Sequence, residues 1–213
     1  MQCPLFSNMQ ADEVEASLSN ISYKMVHFPA NEIYVVAGEP CKYADIIIDG
    51  EIIARMEGES GKQVQIDRLP PSTLLAPAFI FAPKNAMPVT AETSKPTTIL
   101  RMMPSELKRL IDTDEQIRMN FIRQLSAIDV FLTGKLRMLS LYTVREKVAH
   151  FLFNTSVQQK TRTITLDKTR QEIADMFGIQ KFSLLRTLSE FEEKGAIKVE
   201  GKQITIINSD LMK

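Results

Sequence analysis

The chain has 213 residues, 44% of them hydrophobic, and its 26 basic and 26 acidic side chains give a formal net charge of zero. That length accommodates two modest domains with cores of their own, and the neutral balance excludes a wholesale polyanion binder. No apolar run approaches the ~20 residues of a membrane span, and the opening MQCPLFSNMQ lacks a basic segment followed by an apolar one, so a cytoplasmic protein without membrane contact is expected.

The spacing of Val14 and Leu18 behind early acidic residues predicts a short amphipathic helix over 12–18. Short β-branched runs then follow at 23–28, 33–36, 44–48, 51–56, 63–69, 89–93 and 97–103, broken by Gly, Pro and Asn. Many short strands at this spacing predict a sandwich or barrel, with Gly38 and Gly50 at breaks between strands and a polar hairpin tip at 57–61. Pro104 near a first turn opens a helix to about residue 111. A longer helix is predicted over 114–141. Phe121, Leu125, Ile128, Leu132 and Leu139 fall on it as a heptad seam that wants a partner helix, so a homodimer is expected. A second stripe, Ile122, Val130 and Leu136, is expected to face the β-domain.

Residues 139–143 interrupt the pattern, and Thr143 with Glu146 has capping-box spacing, which predicts a new helix through Phe153. A polar loop over 154–163 leads to a short strand at 163–166. Thr169 and Glu172 repeat the capping box. Two apolar-periodic segments, 171–177 and 181–191, are then separated by Gly178-Ile179-Gln180, a spacing that demands a sharp turn: a helix-turn-helix. Ile173, Ala174, Phe177, Ile179, Leu184, Leu185 and Leu188 supply its inward face. Gln180, Lys181, Phe182, Ser183 and Arg186 face solvent, and a hydroxyl, an ammonium and a guanidinium on one exposed helix turn suit a DNA major groove. Thr169, Arg170 and Gln171, beside the free amides of the first turn, are the candidate phosphate contacts. Residues 197–199 and 203–207 read as the strands of a wing. From Thr143 onward 12 Lys and Arg face 9 Asp and Glu, a balance of +3; the remaining 14 and 17 leave −3 in residues 1–142. The basic excess lies with the helix-turn-helix.

Cys3 and Cys41 cannot build a disulfide framework or a four-thiolate cluster, and they read as free thiols. His27 and His150 stand apart without a ligand pattern, so no metal or cofactor is expected. No Gly-rich phosphate loop, nucleophile elbow or paired carboxylates stand out, and the chain does not read as an enzyme.

In this order, a short helix, strands broken at Gly38 and Gly50, a long helix, a hinge and TRQEIADMFGIQ with a wing, the chain resembles the cyclic-AMP receptor protein and FNR (Crp/Fnr) family of bacterial transcription regulators. FPANEIYVVAGEP and IIIDGEI resemble the family's cyclic-nucleotide-type β-roll. The resemblance implies an α+β fold with a jelly-roll-type β-roll sensor domain at 1–112. A dimerisation helix and hinge would follow at 113–142 and a winged helix-turn-helix at 143–213, with a double-stranded DNA operator, a second copy of the chain and RNA polymerase as partners. Two departures stand out. Lys181 and Arg186 match the family's reading pattern, but Phe182 stands where a Glu would be, so a different operator is expected. The family's nucleotide cassette pairs Gly-Glu for the ribose with Arg and Ser or Thr for the phosphate. The matching stretches here are Leu75-Ala76-Pro77-Ala78 and Ala86-Met87-Pro88-Val89, without a polar anchor. Burying a phosphate there without a cation would be strongly unfavourable.

The expected function is therefore a homodimeric, sequence-specific DNA-binding regulator that does not sense a cyclic nucleotide. Phe79, Ile80, Phe81, Met87 and Val89, closed over by Ile128 or Leu132, are a candidate pocket for an apolar effector, or else simply fill the roll. The alternative is an interaction or structural module that keeps the fold without reading DNA, with Phe182 as an apolar partner contact.

Overall fold

At Gly50 the backbone takes φ +97°, and a Cβ there would sit 2.3 Å from Thr97 Oγ1 and 2.5 Å from Thr97 Cα. Only glycine combines that handedness with that approach. The expectation of separate strands at 44–48 and 51–56 is corrected by this residue. One strand, β3 (Ala44–Glu57), passes through it and bends, with register shifts on either side of Asp49 and between Glu51 and Ile52. Such bulges curl a strand rather than end it. The facing strand β5 (Thr90–Met102) likewise joins the runs expected at 89–93 and 97–103, because Pro96 falls at the same corner and interrupts no more than the local ladder.

The computed structural model describes residues 3–57 and 63–212, and the chain divides into two compact units, Met1–Val130 and Phe131–Lys213. In the first, β1 (Tyr23–Phe28), β2 (Ile33–Val35), β3, β4 (Gln63–Leu69) and β5 form one antiparallel sheet, ordered β1-β5-β3-β4 with β2 also on β5. Of the expected hairpin tip at 57–61, residues 58–61 lie outside the described residues. The strands' period of two sorts side chains between two cores. Ile47, Ile52, Ala91 and Ile99 meet inside the roll. Ala44, Ile46, Leu100 and Met102 pack outward on α3 (Pro104–Thr113) and α4 (Glu115–Leu141), through Leu107, Leu110, Ile117 and Phe121. The same cluster takes in Val14 and Leu18 of α1 (Ala11–Ser19).

A 3₁₀ turn at Pro4–Phe6, which no periodicity in the sequence marks, buries Leu5 and Phe6. It is held by the buried Asn120, whose Nδ2 donates to the carbonyls of Leu5 at 3.1 Å and Ser7 at 2.8 Å.

The expected division of α4's apolar residues is reversed in its first half. Phe121 is 6% exposed in the roll-side core, Leu125 packs against that core and Ile128 is half-buried. Ile122 and Val130, expected on the roll, are 46% and 71% exposed. The four-three spacing of Phe121, Leu125 and Ile128 is the periodicity of any buried helix face, and here it serves the chain's own roll. In the second unit Leu132, Leu136 and Leu139 are all exposed.

That unit continues with α5 (Val144–Gln159), β6 (Thr163–Thr165), α6 (Arg170–Met176), α7 (Lys181–Glu193), β7 (Ile197–Glu200) and β8 (Gln203–Ile206), in a sheet ordered β6-β8-β7. Helix α5 runs six residues beyond the expected end at Phe153, since nothing before Lys160, at φ +52°, breaks it. Val148, Leu152, Ile164, Ile173, Leu184 and Phe191 form its core. The buried Lys147 sends Nζ to the carbonyls of Leu139 at 3.1 Å and Phe177 at 3.3 Å, joining the end of α4 to the end of α6.

Candidate nucleic-acid interface

Helix α6 begins on a completed capping box. Thr169 Oγ1 accepts from Glu172 N at 3.2 Å, and Thr169 N donates to Glu172 Oε2 at 2.6 Å. The Thr169 backbone N–H first, and then its hydroxyl, hold the Glu172 carboxyl below its ordinary range. Gly178 at φ +61° makes the turn, and Gln180 precedes the first turn of α7 in extended conformation. Ala174, Phe177, Leu184 and Leu188 are buried between the two helices and the rest of the unit. Leu185, expected inward, is 41% exposed, and its inward place is taken by Phe191, fully buried beneath the Arg145 guanidinium at 4.7 Å. A Schellman-type pair, Ala196 N to Phe191 O at 2.8 Å and Gly195 N to Glu192 O at 2.9 Å, ends α7 and turns the chain into β7.

The face left open on α7 carries Gln180, Lys181, Phe182 and Arg186. Phe182 is 73% exposed. Ser183 is half-buried, and its carbonyl accepts from Thr187 Oγ1 at 2.9 Å. Arg186 donates from Nε to Glu190 Oε1, and Glu190 also lies 3.9 Å from Arg145 Nη1.

The three candidate phosphate contacts differ among themselves. Gln171 is exposed and donates from Nε2 to Asp175 Oδ1 at 3.0 Å. Arg170 is half-buried and sends Nη2 to the Gly201 carbonyl at 3.1 Å, tying α6 to the turn between β7 and β8. Its guanidinium thus positions the wing, a role its place in the sequence did not suggest. Thr169 is engaged in the cap. The arrangement presents exposed donors and one aromatic ring on a helix whose other face is locked in a core, which is what insertion into a groove requires.

In the first unit, the stretch expected to form a pocket is packed more than open. Ile80 and Met87 are buried, Phe79 and Val89 are half-buried, and Phe81, itself exposed, meets the Phe121 ring edge-on at 5.9 Å. Ala76 adopts φ +47° ahead of the short helix α2 (Pro77–Ile80). The backbone thus takes a left-handed turn without a glycine, at a cost of about 1–2 kcal/mol. A cavity of about 210 Å³ in the same unit takes only Met87 from the expected lining. No cluster of three or more metal-ligating side chains occurs among the described residues, and no helix there is long and apolar enough to cross a membrane.

Residues 25–114 match the family model described as the cyclic nucleotide-binding domain, and residues 146–213 match that of the Crp-like helix-turn-helix domain. The cAMP-activated global transcriptional regulator CRP of Pasteurella multocida is 22% identical over 87% of this chain and 91% of its own length. The CRP-like cAMP-activated global transcriptional regulator of Mycobacterium tuberculosis is 26% identical over 87% of this chain and 84% of its own. Among solved structures, the Thermus thermophilus catabolite activator protein superposes with a TM-score of 0.59 at 18% identity, covering 98% of this chain and 96% of that one. OCPA-complexed CprK gives 0.70 at 13% identity, covering 93% and 92%. At these identities the structural likeness speaks for the fold.

Proposed function

Because this chain belongs to the Crp/Fnr family of transcription regulators, which are not enzymes, we propose that it acts as a homodimer that reads duplex DNA with α7 and does not respond to cyclic nucleotides. The observation that carries the DNA reading is the exposure of Gln180, Lys181, Phe182 and Arg186 on one face of a helix whose opposite face is buried. Lys181 and Arg186 are assigned to base edges, and Phe182 to apolar contact such as a thymine methyl. Gln171 and the amides at the start of α6 are assigned to phosphate. Two copies would read two half-sites about one helical turn apart. Support for pairing comes from the large apolar side chains that α4 leaves in solvent, Ile122 and Val130 in one unit and Leu132, Leu136 and Leu139 in the other. RNA polymerase remains the partner such a regulator would address.

The cassette stretch supports the second half of the reading. It carries no cation and no hydroxyl, and Pro77 lacks the N–H that another residue would offer at the start of α2. Selection of bound duplexes from a random library tests the whole. It should return an inverted repeat, and Arg186→Ala should lose the preference at one position in each half. Binding without any sequence preference, or none at all, would favour an interaction module in which Phe182 meets a protein.

A further inference from the structure

We propose that the roll binds a single-ring aromatic compound carrying one oxygen acceptor, in the cavity beside Arg101. The proposal deepens the reading of the first unit as a sensor for something other than a cyclic nucleotide. The wall includes Phe28, Tyr34, Cys41, Tyr43, Met87 and Arg101, around about 210 Å³. Arg101 pairs with the fully buried Asp45, from Nη2 to Oδ2 at 2.6 Å and from Nε to Oδ1 at 3.1 Å, and Tyr34 Oη donates to the same Oδ2 at 2.8 Å. The guanidinium carbon lies 4.3 Å from the Tyr43 ring centre and 5.8 and 5.9 Å from those of Phe28 and Tyr34. Burial, then Asp45, pushes the Tyr34 hydroxyl far above its ordinary range, so it stays a neutral donor.

Three properties distinguish this cavity from ordinary core. An interior ion pair carries a desolvation cost that two apolar side chains of the same volume would avoid. The cavity opens to solvent past the exposed Glu39 and Lys42, so a guest can enter and cover aromatic surface that is otherwise partly in water. And the polar capacity of the wall is lopsided. Asp45 is occupied by Arg101 and Tyr34, whereas a guanidinium has five N–H donors and its bonds to Asp45 draw on Nε and Nη2. At its buried end, beside Asp45, what the wall can still offer is donors.

The guest follows from size and charge. An apolar cavity of about 150 Å³ holds benzene, so this one suits a six-membered ring with a small substituent. Aromatic walls favour the ring, and the surplus donors favour one oxygen acceptor on it. An amine would find Asp45 taken and a guanidinium beside it. A phosphate dianion would meet Asp45 and Glu39 with the one guanidinium already paired, leaving buried charge uncompensated. Glu39 and Lys42, both on the wall and exposed, add one charge of each sign.

Cys41, in that wall, reports occupancy, and Cys3, which is not part of it, is the control. The full-length protein is titrated with benzyl alcohol, acetophenone or toluene while alkylation of each thiol by iodoacetamide is followed by peptide mass spectrometry. Benzyl alcohol or acetophenone should saturably slow Cys41 at millimolar concentration or below and leave Cys3 unchanged. Toluene, without the acceptor, should be weaker by about tenfold or more, the worth of a hydrogen bond to a charged donor. Val35→Phe, which fills the cavity from its wall and spares the ion pair, should abolish protection. Arg101→Met should weaken it, but strands Asp45, so Val35→Phe carries the test if that variant does not fold. No protection, equal protection of both thiols, protection that survives Val35→Phe, or toluene as effective as the others overturns the proposal. DNA binding does not enter the readout, so a failure here leaves the regulator reading standing.

Discussion

Arg186 donates from Nε to Oε1 of Glu190 at 3.0 Å, one turn along α7, while 71% of its side chain remains in solvent. An exposed pair at this spacing contributes only about 0.3–0.5 kcal/mol to stability. Its significance is positional, since Glu190 holds the guanidinium along α7, where under the proposed reading a base edge would compete for it. Arg186→Ala should cost about 1–3 kcal/mol on a specific duplex and relax one position of the preference. Glu190→Gln should leave folding intact and strengthen binding to random duplex by removing a negative charge near the phosphates. Anisotropy titrations over a range of salt separate the two effects. Equal, unchanged binding in the Arg186 variant would remove α7 from the interface.

The burial of Phe121 and exposure of Leu136 set up opposite outcomes for two substitutions on one helix. Leu136→Asp, at a site 66% exposed, should give monomers with near-native melting. Phe121→Ala should lower stability by about 3–5 kcal/mol through cavity formation, without acting at the dimer face. Light scattering at micromolar concentration and thermal unfolding distinguish them. A Leu136→Asp protein that remains dimeric would rule out this face.

Calorimetry with cyclic AMP and cyclic GMP should show no binding heat up to millimolar concentration. The matching stretches, residues 75–78 and 86–89, offer a phosphate no cation and no hydroxyl. Micromolar affinity for either nucleotide would overturn that argument.

Acid should weaken the second unit through its two capping boxes. Glu146 and Glu172 are held below the ordinary glutamate value, first by the backbone N–H of Thr143 and Thr169 and then by their hydroxyls. Unfolding returns both to the ordinary value, so the unfolded chain binds more protons in that window. The caps' contribution is complete above the ordinary glutamate value and declines as pH falls through the lower, folded one. Melting followed from neutrality down to about pH 3 should fall less steeply in Glu172→Gln than in the parent chain. An identical slope would show that this cap carries no pH dependence.

What could be read from the sequence was local. The Thr143–Glu146 and Thr169–Glu172 boxes and the glycine turn at Gly178 are set by residues within a few positions of one another, and the structure forms all three. Phe121 and Ile122 could not be sorted, because helical spacing reports that a face is buried and not what covers it. Arg101 and Asp45 stand 56 positions apart and meet only through the β3 and β5 pairing. Sequence spacing alone therefore points to the apolar run at Phe79 to Val89 and not to the cavity that they border. Arg170 likewise could not be assigned to the wing before Gly201 was placed beside it.

The corner at Gly50 has a consequence for the chain's history. Any replacement there fails twice, on handedness and on room, and a neighbour cannot relieve it. Trimming Thr97 to Ala would remove the hydroxyl at 2.3 Å but leave its Cα at 2.5 Å and the Pro96 carbonyl at 2.7 Å. A lineage descending from this sequence can therefore drift at Phe182, at Ala76 and along the cavity wall in small steps. At residue 50 no single step leads anywhere, so the bend is inherited unchanged while the residues around it vary.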